Sequence, residues 1–271
     1  MTETNPLSLA ETWDLVAEGF DRSVWDLFSQ FGLRALDIVD PQPNARVLDV
    51  ACGAGSLTIP AAHRVTEVTA VDFSPQMVAA TRRRVAADRL ENVSVHLGDC
   101  QELMFKDDSF DAAFSLFGLM FFSSRDQGLR EMGRLLRPGA LAVISSWPPM
   151  STSPAMASMV EALAEASGTP MPDLEVPGQL GTEADIRCEV EAAGLEIIEV
   201  ERFDGRLEAQ TFEAVWGIAH DANAHLQLAK KQLGPEFHKI VDKLATGLRR
   251  RLGEPPYKLI LPAFLTIIRA P

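Results

Sequence analysis

Basic residues are scarce in this chain. Lys and Arg number 25 against 38 Asp and Glu, leaving a net charge of −13 over 271 residues. Displacing counterions from nucleic-acid phosphates normally takes a basic face, so the composition argues against a nucleic-acid partner. The two arginine triplets, Arg82 to Arg84 and Arg249 to Arg251, fall in Ala- and Leu-rich helix-like segments and read as solvated helix faces. Cysteine is scarce too. Cys52, Cys100 and Cys188 match no zinc spacing, and an odd count is a poor basis for a disulfide framework. No metal-ligand cluster stands out, so no metal is expected. No apolar run reaches the roughly eighteen residues of a membrane span, and the residues from Met1 to Pro6 lack the basic-then-apolar order of a signal peptide. The expectation is a cytoplasmic protein without a membrane span. Internal repeats, low-complexity tracts and a long linker are all lacking.

What is present is core material: 46% of the residues are hydrophobic and 23% charged, an ordinary globular balance. From Leu9 to Val39 the apolar residues recur at helical spacing, with Trp13, Val16, Ala17 and Phe20 followed by Val24, Trp25, Phe28 and Phe31. The period then changes. Short apolar runs at 46–50, 67–72, 93–97, 110–115 and 140–146 read as buried strands. Between them, helices are expected at 55–63, 74–89 and 125–136, the second opened by Ser74 as N-cap and Pro75 at the first helical position. Arg137-Pro138-Gly139 is expected to stop the third helix. This alternation predicts a Rossmann-like α/β fold, a seven-stranded and mainly parallel sheet with helices on both faces. The last third predicts helices at 154–167 and 182–193, the latter with a Thr182–Asp185 capping pair and Gly194 as terminator. A strand at 195–200, two helices at 211–233 and 235–252, and a closing strand at 264–269 complete the reading. The predicted organisation is an N-terminal helical arm (1–43), an α/β core (44–210), a helical lid inserted between the last two strands (211–253) and the final core strand (254–271).

Four segments fall at strand C-terminal ends, where such folds bind ligands. The first is the Gly-rich turn from Asp49 to Gly55, whose glycines let a backbone approach a ligand. The second is Asp72, 17 positions beyond Gly55, a distance at which an acidic residue takes ribose hydroxyls. The third is Gly98-Asp99-Cys100 and the fourth runs from Ser115 to Gly118. A lone Gly-rich turn says little; its register with three further strand ends says more. A dinucleotide fingerprint would place a glycine where Thr58 stands, and the lysine of a phosphate-binding loop is absent. A nucleoside with a small charged tail remains.

The run from Val47 to Gly55 resembles motif I of the class I S-adenosylmethionine (SAM)-dependent methyltransferases, on the small-molecule branch that includes ubiquinone and menaquinone biosynthesis and antibiotic tailoring. The segments from Ala70 to Met77, Gly98 to Leu103, Asp108 to Ala112 and Arg134 to Gly139 resemble the motifs that follow, so the similarity is firm over 44–147. It implies SAM as cofactor, and it implies roles: Asp49, Gly53 and Gly55 beside the methionyl side, and Asp72 on the ribose. Phe73 is expected against the adenine, with Asp99 on its amino group, and Phe20, Ala51 and Met77 are also expected among the cofactor-binding residues. The Cys100 backbone would meet the ring and Ser115 would lie beside the methionine moiety. Phe20 stands where relatives often carry a tyrosine in the arm, which leaves any phenol hydroxyl role open.

The expected reaction is methyl transfer to a small apolar or aromatic acceptor, on oxygen or carbon. Positioning and water exclusion supply much of the rate when the leaving group is already activated. His220 and His225 are weak candidates for a base, too far round one helix to share a face. His238, His63 and His96 are weaker. Tyr257, the sole tyrosine, faces either the pocket or the lid interior. The cluster of Phe117, Met120, Phe121 and Phe122 reads first as core and second as an acceptor pocket. The segment after the fourth strand lacks the Asn/Asp-Pro-Pro-Tyr pattern of many nitrogen methylases, which further lowers a DNA reading. A SAM-fold enzyme catalysing cyclisation and a nicotinamide-dependent reductase are the alternatives. A homodimer is left open.

Overall fold

The computed structural model describes residues 5–176 and 178–271. Seven strands form one sheet in the order β3-β2-β1-β4-β5-β7-β6. They are β1 (Arg46–Val50), β2 (Glu67–Asp72), β3 (Val93–Leu97), β4 (Phe110–Leu116), β5 (Leu136–Ser146), β6 (Glu196–Ala209) and β7 (Tyr257–Arg269). The first five pair in parallel, and β7 runs antiparallel to both β5 and β6. The order reverses between β1 and β4, which opens a crevice at their C-terminal ends.

The central strands are buried on both faces, and their side chains alternate between two cores. Leu48 and Val50 of β1 enter one layer with Leu129 and Met132 of α6 (Arg125–Leu135). Val47 enters the other, with Phe31 and Leu36 of α3 (Trp25–Val39). Helix α4 (Thr58–Ala62) and helix α5 (Pro75–Ala87) cover the crossovers after β1 and β2. Ser74 caps α5 as expected, its Oγ accepting from the Met77 N–H at 3.1 Å. The arm is broken rather than continuous: α1 (Ala10–Asp14), α2 (Ala17–Gly19) and a π-helical turn over Phe20–Val24 precede α3.

Three boundaries differ from expectation, each for a local reason. Strand β5 begins at Leu136 and carries Arg137, Pro138 and Gly139, because Leu136 pairs with Phe110 before the ladder shifts register. Strands β6 and β7 pair along Glu196 to Ala209, far beyond 195–200 and 264–269. Glu199, Glu201, Asp204 and Glu208 conceal this strand by breaking its apolar pattern, yet charge suits an edge. The inserted lid has three helices, α9 (Phe212–Asp221), α10 (Ala224–Leu233) and α11 (Phe237–Leu252), because Asn223 starts a new one. Its Oδ1 accepts from the Leu226 N–H at 3.1 Å.

The lid has its own core of Phe212, Val215, Leu226, Phe237, Leu244 and Leu248. Helix α7 (Pro154–Ser167) contributes Ala162 to it and packs along α11, while α8 (Glu183–Ala192) covers the first core. Tyr257 belongs to this lid core; it is buried, and its hydroxyl donates to the Gly253 carbonyl at 3.0 Å. Among the described residues, no helix is long and apolar enough to cross a membrane.

Candidate functional site

The C-terminal ends of β1, β2 and β4, the arm and the lid enclose a cavity of about 600 Å³. After β1 the chain turns through three left-handed positions, Ala51 (φ 56°), Gly53 (φ 54°) and Gly55 (φ 84°). The two glycines serve different ends. A Cβ on Gly53 would meet nothing within 4 Å, because the backbone there lies bare against the cavity it lines. A Cβ on Gly55 would press on Thr81 Cγ2 at 3.1 Å, so Gly55 lets the turn pack on α5. Thr81 fixes the turn from below, its Oγ1 donating to the Gly53 carbonyl at 2.6 Å.

Asp72 ends β2 inside this cradle, buried and lining the cavity. Its Oδ2 accepts from the Gly53 N–H at 2.8 Å and its Oδ1 from the Ser74 N–H at 2.9 Å. Burial pushes its pKa up to about 6 despite those bonds. Each oxygen keeps a lone pair, so the carboxylate can take two hydroxyls from the cavity side. Asp99 stands exposed at the rim beyond β3. Its Oδ1 accepts from both the backbone and the side-chain nitrogen of Gln101, at 2.9 and 3.0 Å. Gln101 in turn accepts from Ser123 and the Ser124 N–H, tying this loop to the segment before α6. Cys100 is buried, and burial holds its thiol well above the ordinary range.

Of the residues expected at the site, Phe20, Ala51, Gly53, Asp72, Phe73, Met77, Asp99, Cys100 and His225 line the cavity. Asp49, Gly55, Ser115 and His220 stand behind its wall. Asp49 accepts from Thr58 Oγ1 at 2.5 Å under the turn, and burial pushes its pKa up to about 7. The Ser115 hydroxyl is fully buried and has no partner among the described residues. It sits under Gly118, where a Cβ would strike Ala51 Cβ at 2.4 Å and Ser115 Oγ at 3.3 Å. The two histidines lie on different helices. His220 turns into the lid, stacked on Trp216 at 5.2 Å, with Nδ1 2.7 Å from Asp221 Oδ1.

Three contributors escaped sequence reasoning. Asp14 of the arm accepts from Ser74 Oγ at 2.6 Å and the Gln76 N–H at 3.1 Å, pinning the arm to the end of β2. Gln101 and Asn223 are the others. A capping signal at Asn223, three residues before an apolar one, could have revealed the last. The far wall is aromatic. Phe117, held at φ 59°, stacks on Trp147 at 4.1 Å with the planes 20° apart. Phe28 meets Phe117 edge-on at 4.9 Å. The cluster expected first as core therefore also forms the pocket, with Phe117, Met120, Phe121 and Phe122 all on the cavity.

A doubly wound sheet whose switch point carries a bare glycine turn and an acidic residue at the next strand end defines a nucleoside-binding α/β domain. Residues 47–139 match the family described as the methyltransferase domain. Among curated relatives, the ubiquinone/menaquinone biosynthesis C-methyltransferase of Geotalea daltonii is 37% identical over 130 residues, 46% of this chain and 52% of that one. The nocamycin O-methyltransferase of Saccharothrix syringae is 35% identical over 143 residues, 51% of each chain. The chain thus spans about half the length of these relatives. Among solved structures, the YcgJ protein of Bacillus subtilis superposes with a TM-score of 0.59 at 18% identity, covering 89% of this chain and 97% of that one. The cyclase SpnF superposes at 0.58 and 18%, covering 90% and 80%; both likenesses are of fold. Residues 47–139 thus carry a methyltransferase domain, and S-adenosylmethionine is the cofactor of that domain.

Proposed function

We propose that this protein transfers the methyl group of S-adenosylmethionine to a small apolar or aromatic acceptor. The observation that carries the reading is a single cavity with two unlike halves. One half presents Gly53, Asp72 and Asp99, with Phe73, Met77 and Cys100 alongside. A bare backbone, a carboxylate with two free lone pairs and apolar side chains suit a cationic nucleoside. In this assignment Asp72 takes the ribose hydroxyls, Asp99 faces the adenine edge and the Gly53 backbone admits the methionyl tail. Asp49, Gly55 and Ser115 support the turn from behind rather than touching the cofactor. The bound cofactor supplies an electrophilic methyl group. The other half, with Phe28, Phe117, Trp147, Met150 and Met156, offers the acceptor almost nothing but carbon.

The protein's own work is to orient two reactants and exclude water. The arm brings Phe20 to the cavity and the lid brings Ile218, Asn223 and His225, so closure from both sides shields the reacting atoms. A small-molecule acceptor and a cytoplasmic setting belong to this reading, as does the lack of a nucleic-acid partner, which the net charge of −13 supports. Calorimetry with S-adenosylmethionine and transfer of a labelled methyl group to low-mass acceptors test it. Absence of heat on titration would sink it. Cyclisation in the same cavity is the second reading, favoured by the fold shared with a cyclase. Product formed without consumption of the methyl donor would select it.

A further inference from the structure

We propose that Ser145 is a positioning residue: it locks Phe117 in a left-handed backbone conformation and so builds the aromatic wall of the acceptor half. The inference rests on the methyl-transfer reading and adds to it the group that shapes that half.

Phe117 stands in a conformation that bulky residues avoid. Its φ is 59°, where a Cβ crowds the following carbonyl and glycine or asparagine is the usual occupant. Such a conformation persists only where its surroundings over-determine it. Three contacts do so here. On the N-terminal side, Leu116 is still in the ladder, paired with Ser145 of β5. At the residue itself, the Phe117 N–H donates to Ser145 Oγ at 2.8 Å. On the C-terminal side, Gly118 lies so close to the glycine turn that a Cβ there would stand 2.4 Å from Ala51 Cβ. Ser145 is the informative member of the three. It is fully buried and follows the equally buried, apolar Val143 and Ile144. A hydroxyl in such a place costs free energy unless it is bonded. The bond it makes goes to the N–H just beyond the end of β4. With alanine at 145 that N–H would lose its acceptor inside the core, and the left-handed turn would lose the contact that favours it.

What the lock delivers is the placement of a ring. Phe117 stacks on Trp147 at 4.1 Å, and Phe28 and Phe31 meet it edge-on at 4.9 and 5.0 Å. Trp147 follows Ser145 by two residues, so one short stretch of chain supplies both the lock and the stacking partner. Both rings line the cavity. The approach of Gly118 to Ala51 ties this wall to the glycine turn on the cofactor side. A molecule resting on the wall is therefore held in a set relation to the cofactor half, which is the orientation that methyl transfer requires of the protein. In a right-handed Phe117 the Cβ would leave the backbone in a different direction, and the ring would come off Trp147.

The test uses the full chain saturated with S-adenosylmethionine, with naphthalene as the probe of the wall. Ser145→Ala is compared with the wild type and with Ser146→Ala. Ser146 is a neighbouring buried serine that does not line the cavity, its Oγ donating to the Leu180 carbonyl at 2.7 Å. Labelled tryptophan lets nuclear magnetic resonance read the Trp147 ring protons, which a stacked Phe117 shifts upfield. In Ser145→Ala that upfield shift should be lost and naphthalene should bind about tenfold more weakly, the size of a lost aromatic contact. The S-adenosylmethionine Kd should stay within a few-fold of the wild type. Ser146→Ala should lower Tm comparably yet keep both the shift and the naphthalene Kd. Ser145→Cys, close in volume but a weaker acceptor, should move both readouts the same way by less, and it decides the matter if Ser145→Ala does not fold. An unchanged shift or naphthalene Kd on loss of the hydroxyl, equal changes in Ser146→Ala, or a loaded wild type that takes up no naphthalene would each overturn the proposal while leaving methyl transfer standing. A wild type that binds no S-adenosylmethionine would remove the underlying reading and this one with it.

Discussion

Asp49 and Asp72 are carboxylic acids placed where ionisation is resisted. Burial raises them to about 7 and about 6, against an ordinary carboxylate value near 4. A raised folded-state pKa means the folded chain holds its proton longer than the unfolded one. The stability this lends is complete below the unfolded pKa and is lost as pH rises through the folded pKa. For Asp49 that window runs from near 4 to about 7. Its single side-chain partner is Thr58 Oγ1, a hydroxyl that an amide oxygen also satisfies. Asp49→Asn should therefore lose less stability than the wild type between pH 5 and pH 8, measured by urea denaturation. Parallel curves for the two proteins would contradict the assignment. Asp72 carries the same sign, but its neighbours add a functional consequence. Ribose hydroxyls would donate to its ionised form, so cofactor affinity should fall as pH drops below about 6, by up to tenfold per pH unit. Calorimetric titrations at several pH values read this directly, and in Asp72→Asn the dependence should vanish.

At the scale of elements, the turn at the end of β1 was legible because its glycines and the flanking apolar runs are local signals. What lay hidden was facing. Asp49, Gly55 and Ser115 sit at strand ends, as their spacing implied, yet they point behind the wall. Side-chain direction alternates with every residue, and a loop after a strand resets that alternation in ways no count of spacings recovers. The lid was harder for a related reason. A continuous helical period spans 211 to 233 and outweighs the local capping signal at Asn223, which breaks it. That cap carries a prediction of its own. Asn223→Ala removes the acceptor for the Leu226 N–H at the start of the helix that holds His225. The cost should be about 1 kcal/mol. Hydrogen exchange should localise the loss to the first turn of α10, with β1 and β4 unchanged. Protection retained in that turn would show that tertiary contacts, not the cap, hold it.

Across the whole molecule, the sheet supplies a fixed floor while the arm and lid meet over it. Their junction is unusually close at Gly19, where a Cβ would sit 2.3 Å from the Asp221 carbonyl oxygen. Arg22 adds an ion pair to Asp221 at 2.5 Å, but its side chain is 59% exposed. Exposed pairs contribute about 0–1 kcal/mol, whereas backbone against backbone cannot yield without separating the two elements. The two contacts should thus respond very differently. Arg22→Ala should bind the cofactor within a few-fold of the wild type. Gly19→Val should wedge the arm from the lid and open the cavity, raising the cofactor dissociation rate at least about tenfold while the sheet stays folded. Trp13, Trp25 and Trp147 line the cavity, so stopped-flow tryptophan fluorescence can follow release. A wild-type rate in Gly19→Val would mean that the arm and lid do not close the cavity at this junction. A large effect of Arg22→Ala would shift the closure from shape to charge.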